Sequence, residues 1–306
     1  MTNDYPPLSI VIPTLNEEGN LRTLLSRISE AMDSARITYE AIIVDDHSTD
    51  STLELATALS DEYPLIVHRK KGERGKAGSL LEGFEYANYD IVCMIDADLQ
   101  YPPESIIPMY MLLNNENADL VVSERKQTNK NSLRNLSSKA FNIIFIRMLF
   151  RIKYDTQSGL KVFRKRILKN MQLKPSPWSF DLEFIVRTLE QKYKILSYEI
   201  NFAKRQSGQT KVHILAVSYE LGKAALKVRR STSIKRIRQH NKQNIAPKRL
   251  SMSLIIAFLT VLVWNSQLKI AEAKYTEQRT LTFLYIIKAT QYSTSLKPPM
   301  KQEVLS

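Results

Sequence analysis

The chain has 306 residues, 43% of them hydrophobic and 25% charged, which excludes a disordered protein and leaves ample material for a large domain, alone or with an appendage. A lone cysteine, Cys93, excludes an intramolecular disulfide, and with four histidines that show no HxxxH spacing it leaves no zinc constellation. The net charge of +13 calls for a polyanionic partner, and the excess is local: no Asp or Glu occurs between Glu220 and Glu272, where Lys223, Lys227, Arg229, Arg230, Lys235 and Arg236 are followed by further basic residues.

Met1 to Pro7 carries no basic, apolar signal pattern, so a cytosolic domain is expected. Leu8-Ser9-Ile10-Val11-Ile12 reads as a short buried strand ended by Pro13, and Asn16 to Asn20 lead into a helix with Leu21, Leu24, Leu25 and Ile28 on one face. Tyr39 to Val44 repeats the scheme, followed by the cap-rich run Asp45 to Thr52 and a helix carrying Leu53, Leu55, Ala56 and Leu59. A third strand is expected over Leu65 to His68, a basic glycine-containing loop over Arg69 to Gly78, and a third helix over Leu80 to Ala87. Ile91 to Ile95 is the fourth strand and Leu120 to Ser123 the fifth. Strands alternating with helices at this spacing predict an α/β fold, Rossmann-like, with a mostly parallel sheet covered by helices on both faces.

The fourth strand carries the chemistry. Its apolar run stops at Asp96-Ala97-Asp98-Leu99-Gln100, and in open α/β sheets ligands collect at the carboxyl ends of the strands. Hard oxygen donors on a short turn suit Mg²⁺ or Mn²⁺ carrying a diphosphate; the plain alternative is a polar strand end that caps the helix starting near Pro102-Pro103. Asp45 and Asp46, at the end of the second strand, are placed to bond ribose hydroxyls or a base edge, with helix capping by Asp46 or Ser48 as the rival. Gly72 to Ala77 lacks the spacing and terminal hydroxyl of a P-loop, no GxSxG is present, and Asp46, His47 and Ser48 are chain neighbours that cannot assemble a triad.

Together these residues resemble a known family. Leu8 to Pro13 with Asn16-Glu17, then Val44-Asp45-Asp46-x-Ser48-x-Asp50, Gly75-Lys76-x-Gly78 and Asp96-Ala97-Asp98-Leu99-Gln100 are similar to the inverting family-2 glycosyltransferases of GT-A fold. Gln157-Ser158-Gly159-Leu160-Lys161-Val162-Phe163-Arg164, Phe180-x-x-Glu183 and Arg205-x-x-Gly208-x-Thr210-Lys211 resemble the subgroup of dolichyl-phosphate mannose synthase and bacterial polyprenyl-phosphate glycosyltransferases. The resemblance covers about Leu8 to Lys211 and implies a GT-A domain over residues 1–211. It implies that Pro13, Asn16, Glu17, Asp45, Asp46, Lys76, Asp96, Arg205 and Lys211 bind the nucleotide sugar, that Asp96, Asp98 and Gln100 hold the metal, and that Arg125, Arg134 and Ser138 bind the acceptor phosphate. Asp98, Arg125, Arg134 and Glu183 are then the expected catalytic residues. The sequence departs from the family at His47, where Gly or Asn is usual, and at Leu160, where Phe is.

Glu124 to Asn131 is polar and leads through Arg134 and Lys139 into apolar Phe141 to Phe150, cations for a lipid headgroup followed by grease for its chain, or else a solvated loop and an ordinary core helix. A phosphate acceptor is already anionic at neutral pH and needs no general base, whereas a glycan hydroxyl would need one, for which Asp181 and Glu183 are the candidates. Their bland reading is a solvated first turn of a helix. Residues 212–292 are expected to form a basic, helical, membrane-associating appendage in which the 11-residue apolar run Leu254 to Trp264 falls short of the ~20 a bilayer span needs. Residues 293–306 are expected to be a disordered tail. The expected activity is transfer of a hexose from a UDP- or GDP-sugar to a polyprenyl phosphate at the cytoplasmic face of a membrane, with the hydroxyl acceptor as the alternative. A nucleic-acid partner is not expected, for the basic run lacks interleaved aromatics, and the oligomeric state is left open.

Overall fold

Runs of β-branched and other apolar residues make the central strands, and α1 and α2 begin where polar loops end. A computed structural model describes residues 5–126, 154–169 and 180–203, together with Ile152, Met171, Leu173 and Val228. In chain order these form β1 (Leu8–Thr14), α1 (Glu18–Ala35), β2 (Tyr39–Asp45), α2 (Thr52–Leu59), β3 (Leu65–Arg69), α3 (Lys76–Tyr86), β4 (Ile91–Met94), α4 (Ile106–Asn115), β5 (Leu120–Arg125), β6 (Lys161–Arg164), α5 (Phe180–Glu190) and β7 (Ile195–Ile200). All five strands expected from the sequence are present. The third helix starts four residues earlier than expected, at Lys76, so the end of the basic loop is its first turn.

The seven strands join in the order β3-β2-β1-β4-β6-β5-β7. Neighbours are parallel except at β6, which runs antiparallel to both β4 and β5. Neither β6 nor β7 was expected. The reversal brings the start of β6, and the turn before it, to the same edge of the sheet as the carboxyl ends of β1, β2, β4 and β5.

Every residue of β2 and β4 is buried, as strands covered on both faces must be. On one face Leu8, Ile10, Ile12, Ala41, Ile43 and Cys93 cluster with Leu21, Leu24, Leu25 and Ile28 of α1 and with Met109 and Leu113 of α4. Each large aliphatic side chain so buried stabilises the fold by about 1.5–3 kcal/mol. On the other face Phe84 of α3, Phe163 of β6 and Phe184 of α5 meet edge to face, with ring centres 5.3 Å apart for Phe84 and Phe163 and 5.1 Å for Phe163 and Phe184. Burial pushes the Cys93 thiol above its ordinary pKa, which leaves it an inert core residue.

At the edge away from the site, buried Glu40 gathers the α3–β4 connection. Its Oε1 accepts hydrogen bonds from Ser9 Oγ at 2.6 Å and the Asn88 N–H at 2.7 Å, and its Oε2 from Asn88 Nδ2 at 2.8 Å. Glu40→Ala would strand these donors, and a loss of about 2–3 kcal/mol is expected in denaturant titration, with sugar-nucleotide affinity unchanged because the network lies across the sheet from the site.

Among the described residues no helix is long and apolar enough to cross a membrane. The expected appendage at 212–292, apart from Val228, and the tail at 293–306 lie outside the described residues.

Candidate active site

Three loops meet above the carboxyl ends of β1, β2 and β4, and each turns on a non-glycine residue in the left-handed region: Asn16 (φ 57°), His47 (φ 61°) and Leu99 (φ 59°). A bulky residue is unusual there, and Leu99 is held by complete burial of its side chain in the core.

The loops after β1 and β2 are laced together. The Asn16 N–H donates to Ser48 Oγ at 2.9 Å, Asn16 Oδ1 accepts the Thr49 N–H at 2.8 Å, and the Glu17 N–H donates to Thr52 Oγ1 at 2.8 Å. Pro13 is half-buried beneath them. The two acids at the end of β2 are both inside the fold. Asp45 is fully buried and accepts the Ser48 N–H at 3.2 Å. Asp46 accepts Lys70 Nζ at 2.7 Å and the Gly75 N–H at 2.8 Å, while Lys70 also donates to the Gly75 carbonyl at 2.9 Å. Neither Asp46 nor Ser48 caps α2, which starts at Thr52 without a side-chain cap bond: Asp45 closes a turn onto Ser48, and Asp46 clamps the loop leading into α3. Over that loop the His47 ring donates to the Gly72 carbonyl at 2.8 Å, and Arg74 donates to the His47 carbonyl at 2.6 Å.

At the end of β4, Asp96 and Asp98 lie on one turn. Asp96 is partly exposed and pairs with Lys76 through Oδ1 at 2.5 Å. Burial pulls the Lys76 ammonium down, but the Asp96 and Asp181 carboxylates outweigh it and hold its pKa above the usual lysine value. Asp98 is 9% exposed and accepts the Gln100 N–H at 3.2 Å. Gln100 is anchored by the chain leaving β7: its carbonyl accepts the Ala203 N–H at 2.9 Å, and its Nε2 faces the Ala203 carbonyl at 3.5 Å. With the amide nitrogen so used, Oε1 is the atom left for a cation. Among the described residues no group of three or more His, Cys, Asp or Glu is arranged to hold a metal. Two carboxylates and one amide oxygen are nevertheless the donor set that fits Mg²⁺ or Mn²⁺ sharing its shell with diphosphate oxygens.

Arg125, the last residue of β5, forks onto Asp155 with Nε at 2.7 Å and Nη2 at 3.2 Å, and its guanidinium carbon lies 5.3 Å from the centre of the Phe202 ring. Burial draws its pKa down and Asp155 raises it by more, so the cation is secure. The start of α5 is not the solvated turn of the bland reading. Asp181 pairs at 2.5 Å with Lys161, whose side chain is fully buried, and Glu183, 5% exposed, faces Arg187 one turn on at 3.4 Å. Burial lowers the Lys161 pKa, with Asp181 opposing the shift. Lys161 was not singled out as a site residue; a lysine opening an apolar strand was the available signal. Arg134, Ser138, Arg205 and Lys211 lie outside the described residues.

Solved structures share this architecture. Glucosyl-3-phosphoglycerate synthase from Mycobacterium tuberculosis, in complex with Mn²⁺, uridine diphosphate and glucosyl-3-phosphoglycerate, matches with a TM-score of 0.59 and 20% identity over 73% of this chain and 80% of that one. The fold is thus the GT-A type expected. The sequence profile of glycosyl transferase family 2 matches residues 9–171, and the chain belongs to that family. Among curated relatives, dolichol-phosphate mannosyltransferase of Pyrococcus furiosus is 33% identical over 213 residues, 67% of this chain and 59% of that protein. Undecaprenyl-phosphate 4-deoxy-4-formamido-L-arabinose transferase of Pectobacterium atrosepticum is 31% identical over 217 residues, 70% of this chain and 65% of that protein. The aligned region spans under two thirds of the length of either relative.

Proposed function

We propose that the protein transfers a hexose from a nucleotide sugar to a polyprenyl phosphate, with inversion, at the cytoplasmic face of a membrane. The observation that carries the choice of acceptor is the state of the two candidate bases. Asp181 accepts a hydrogen bond from the buried Lys161 ammonium, and Glu183 is buried beside Arg187, so neither is presented as a proton acceptor. A phosphomonoester needs none, because it arrives largely ionised and attacks directly. Both curated relatives carry polyprenyl-phosphate acceptors in their names, which supports the same reading.

In this reading Asp96, Asp98 and Gln100 hold Mg²⁺ or Mn²⁺, which when bound stabilises the departing nucleoside diphosphate. The Mn²⁺ and uridine diphosphate in the M. tuberculosis structure support a divalent ion and a nucleotide-sugar donor. Lys76, within reach of Asp96, supplies a further cation for the diphosphate, and Arg205 and Lys211 belong to the same group. Pro13, Asn16, Glu17, Asp45 and Asp46 shape the nucleotide end, with Asn16 and both aspartates acting through the loops they fasten. Arg125, oriented by Asp155, presents its remaining nitrogen to the acceptor phosphate, with Arg134 and Ser138. The basic segment within 212–292 keeps the enzyme on anionic lipid.

The test is to incubate the protein with membranes and a panel of labelled UDP- and GDP-sugars, with Mn²⁺ or chelator. The expected product is a lipid-extractable, mild-acid-labile sugar phosphate that chelator abolishes. Label recovered only in a polar, acid-stable glycan would move the assignment to the hydroxyl acceptor.

A further inference from the structure

The turn between Asp155 and Lys161 takes no direct part in the chemistry above, yet it is fastened to the acidic turn after β4. The pairing of Met94 with Lys161 in the antiparallel β4–β6 ladder, carried two residues further, brings Asp96 opposite Gly159. A Cβ at Gly159 would lie 2.6 Å from Asp96 Cγ and 2.9 Å from Oδ1, with Oδ2 closer still, separations that side chains do not tolerate. Gly159 has no left-handed backbone to explain its presence, so the requirement is for space. Around it the turn is held on three sides. The Gly159 N–H donates to Tyr101 Oη at 2.7 Å, the Ser158 and Ser123 hydroxyls share a hydrogen bond at 2.5 Å, and the buried Lys161 ammonium bonds the Ser158 carbonyl and Asp181. The turn cannot easily retreat from Asp96, so a larger residue at 159 must drive the carboxylate away.

We propose that Gly159 is a positioning residue for Asp96: the space left by its missing side chain seats the carboxylate between the 155–161 turn and Lys76, in the orientation that receives the divalent cation. The cation clause rests on the function proposed above; the seating of Asp96 does not. Displacing Asp96 also breaks its 2.5 Å pair with Lys76, so one methyl group disturbs both charges at this end of the site.

The test uses the full-length protein and four versions of it: wild type, Gly159→Ala, Asp96→Ala and the double variant. Melting curves recorded without metal decide the seating. Gly159→Ala is expected to lower the melting temperature of the wild type by several degrees and to leave that of Asp96→Ala unchanged, because removing the carboxylate removes the clash. An equal drop in both backgrounds would overturn the proposal. Should Gly159→Ala alone fail to fold, recovery of folded protein in the double variant supports it, and failure of both variants at position 159 defeats it. Loss of the free Mn²⁺ electron paramagnetic resonance signal then measures the cation. Gly159→Ala is expected to need at least roughly tenfold more Mn²⁺ than wild type, and equal affinity would show that the seating has no bearing on the metal. A wild type that retains no Mn²⁺ even with uridine diphosphate present would instead refute the metal reading of Asp96, with the melting data still deciding on Gly159.

Discussion

Asp98→Asn is expected to reduce sugar transfer by roughly 10³-fold, about 4 kcal/mol of transition-state stabilisation, while the melting temperature stays where it was. The substitution keeps the shape of the side chain and its Oδ1, so the 3.2 Å hydrogen bond from the Gln100 N–H and the turn it closes survive. What disappears is the negative charge. With a single carboxylate left on the turn, a divalent ion is held by Asp96 alone among charged groups, and Asp96 is already shared with Lys76. Transfer of labelled sugar to polyprenyl phosphate, measured across a Mn²⁺ titration, reads the effect. Raising Mn²⁺ should restore part of the lost rate, since the defect is in holding the ion. Full activity at ordinary Mn²⁺ would remove Asp98 from the site.

The acidic turn was legible as a strand end, because an apolar run breaks there abruptly into two carboxylates, but the same residues suited a metal ligand and a capping role alike. The five expected strands were legible for the same reason: they are hydrophobic runs closed by turn residues. β6 was not. It is four residues long, begins with a lysine and follows a polar turn, and nothing local marks Lys161 as fully buried. Its burial depends on Asp181, twenty positions away in the chain, which only the assembled fold brings within 2.5 Å. β7 alternates buried and more exposed positions as an edge strand does, and Ser197 and Glu199 interrupt its apolar residues. Missing β6 concealed the reversal in the sheet, and with it the reason for glycine at position 159.

The paired acids after β2 show a different limit. Sequence pattern offered both acids a nucleotide contact and one of the pair a helix cap, and residue type cannot choose between these roles, since a carboxylate accepts hydrogen bonds equally well from a ribose or from a backbone. Burial and partners separate the two residues. Asp45 closes its own turn onto Ser48, whereas Asp46 reaches across to a different loop and neutralises a lysine.

Asp46→Ala is therefore expected to destabilise the protein by roughly 3–5 kcal/mol, the usual consequence of removing one partner from a buried ion pair. The side chains of Lys70 and Asp46 are 2% and 6% exposed, so the ammonium would be left in the interior with the Gly75 carbonyl as its remaining bonded partner. The Gly75 N–H, at the entry to α3, loses its acceptor in the same step. A drop in melting temperature of roughly 10 °C should follow. Replacing both residues, Asp46→Ala with Lys70→Met, removes the stranded charge as well and should recover most of the loss, because a buried pair exchanged for apolar side chains is often close to neutral. A residue that served only to touch the ribose would behave in the opposite way: the single variant would raise the KM for the nucleotide sugar, melt normally, and gain nothing from the second substitution. Melting curves of the two variants, set beside KM for the donor, distinguish a clamp that shapes the nucleotide end of the site from a direct ligand within it.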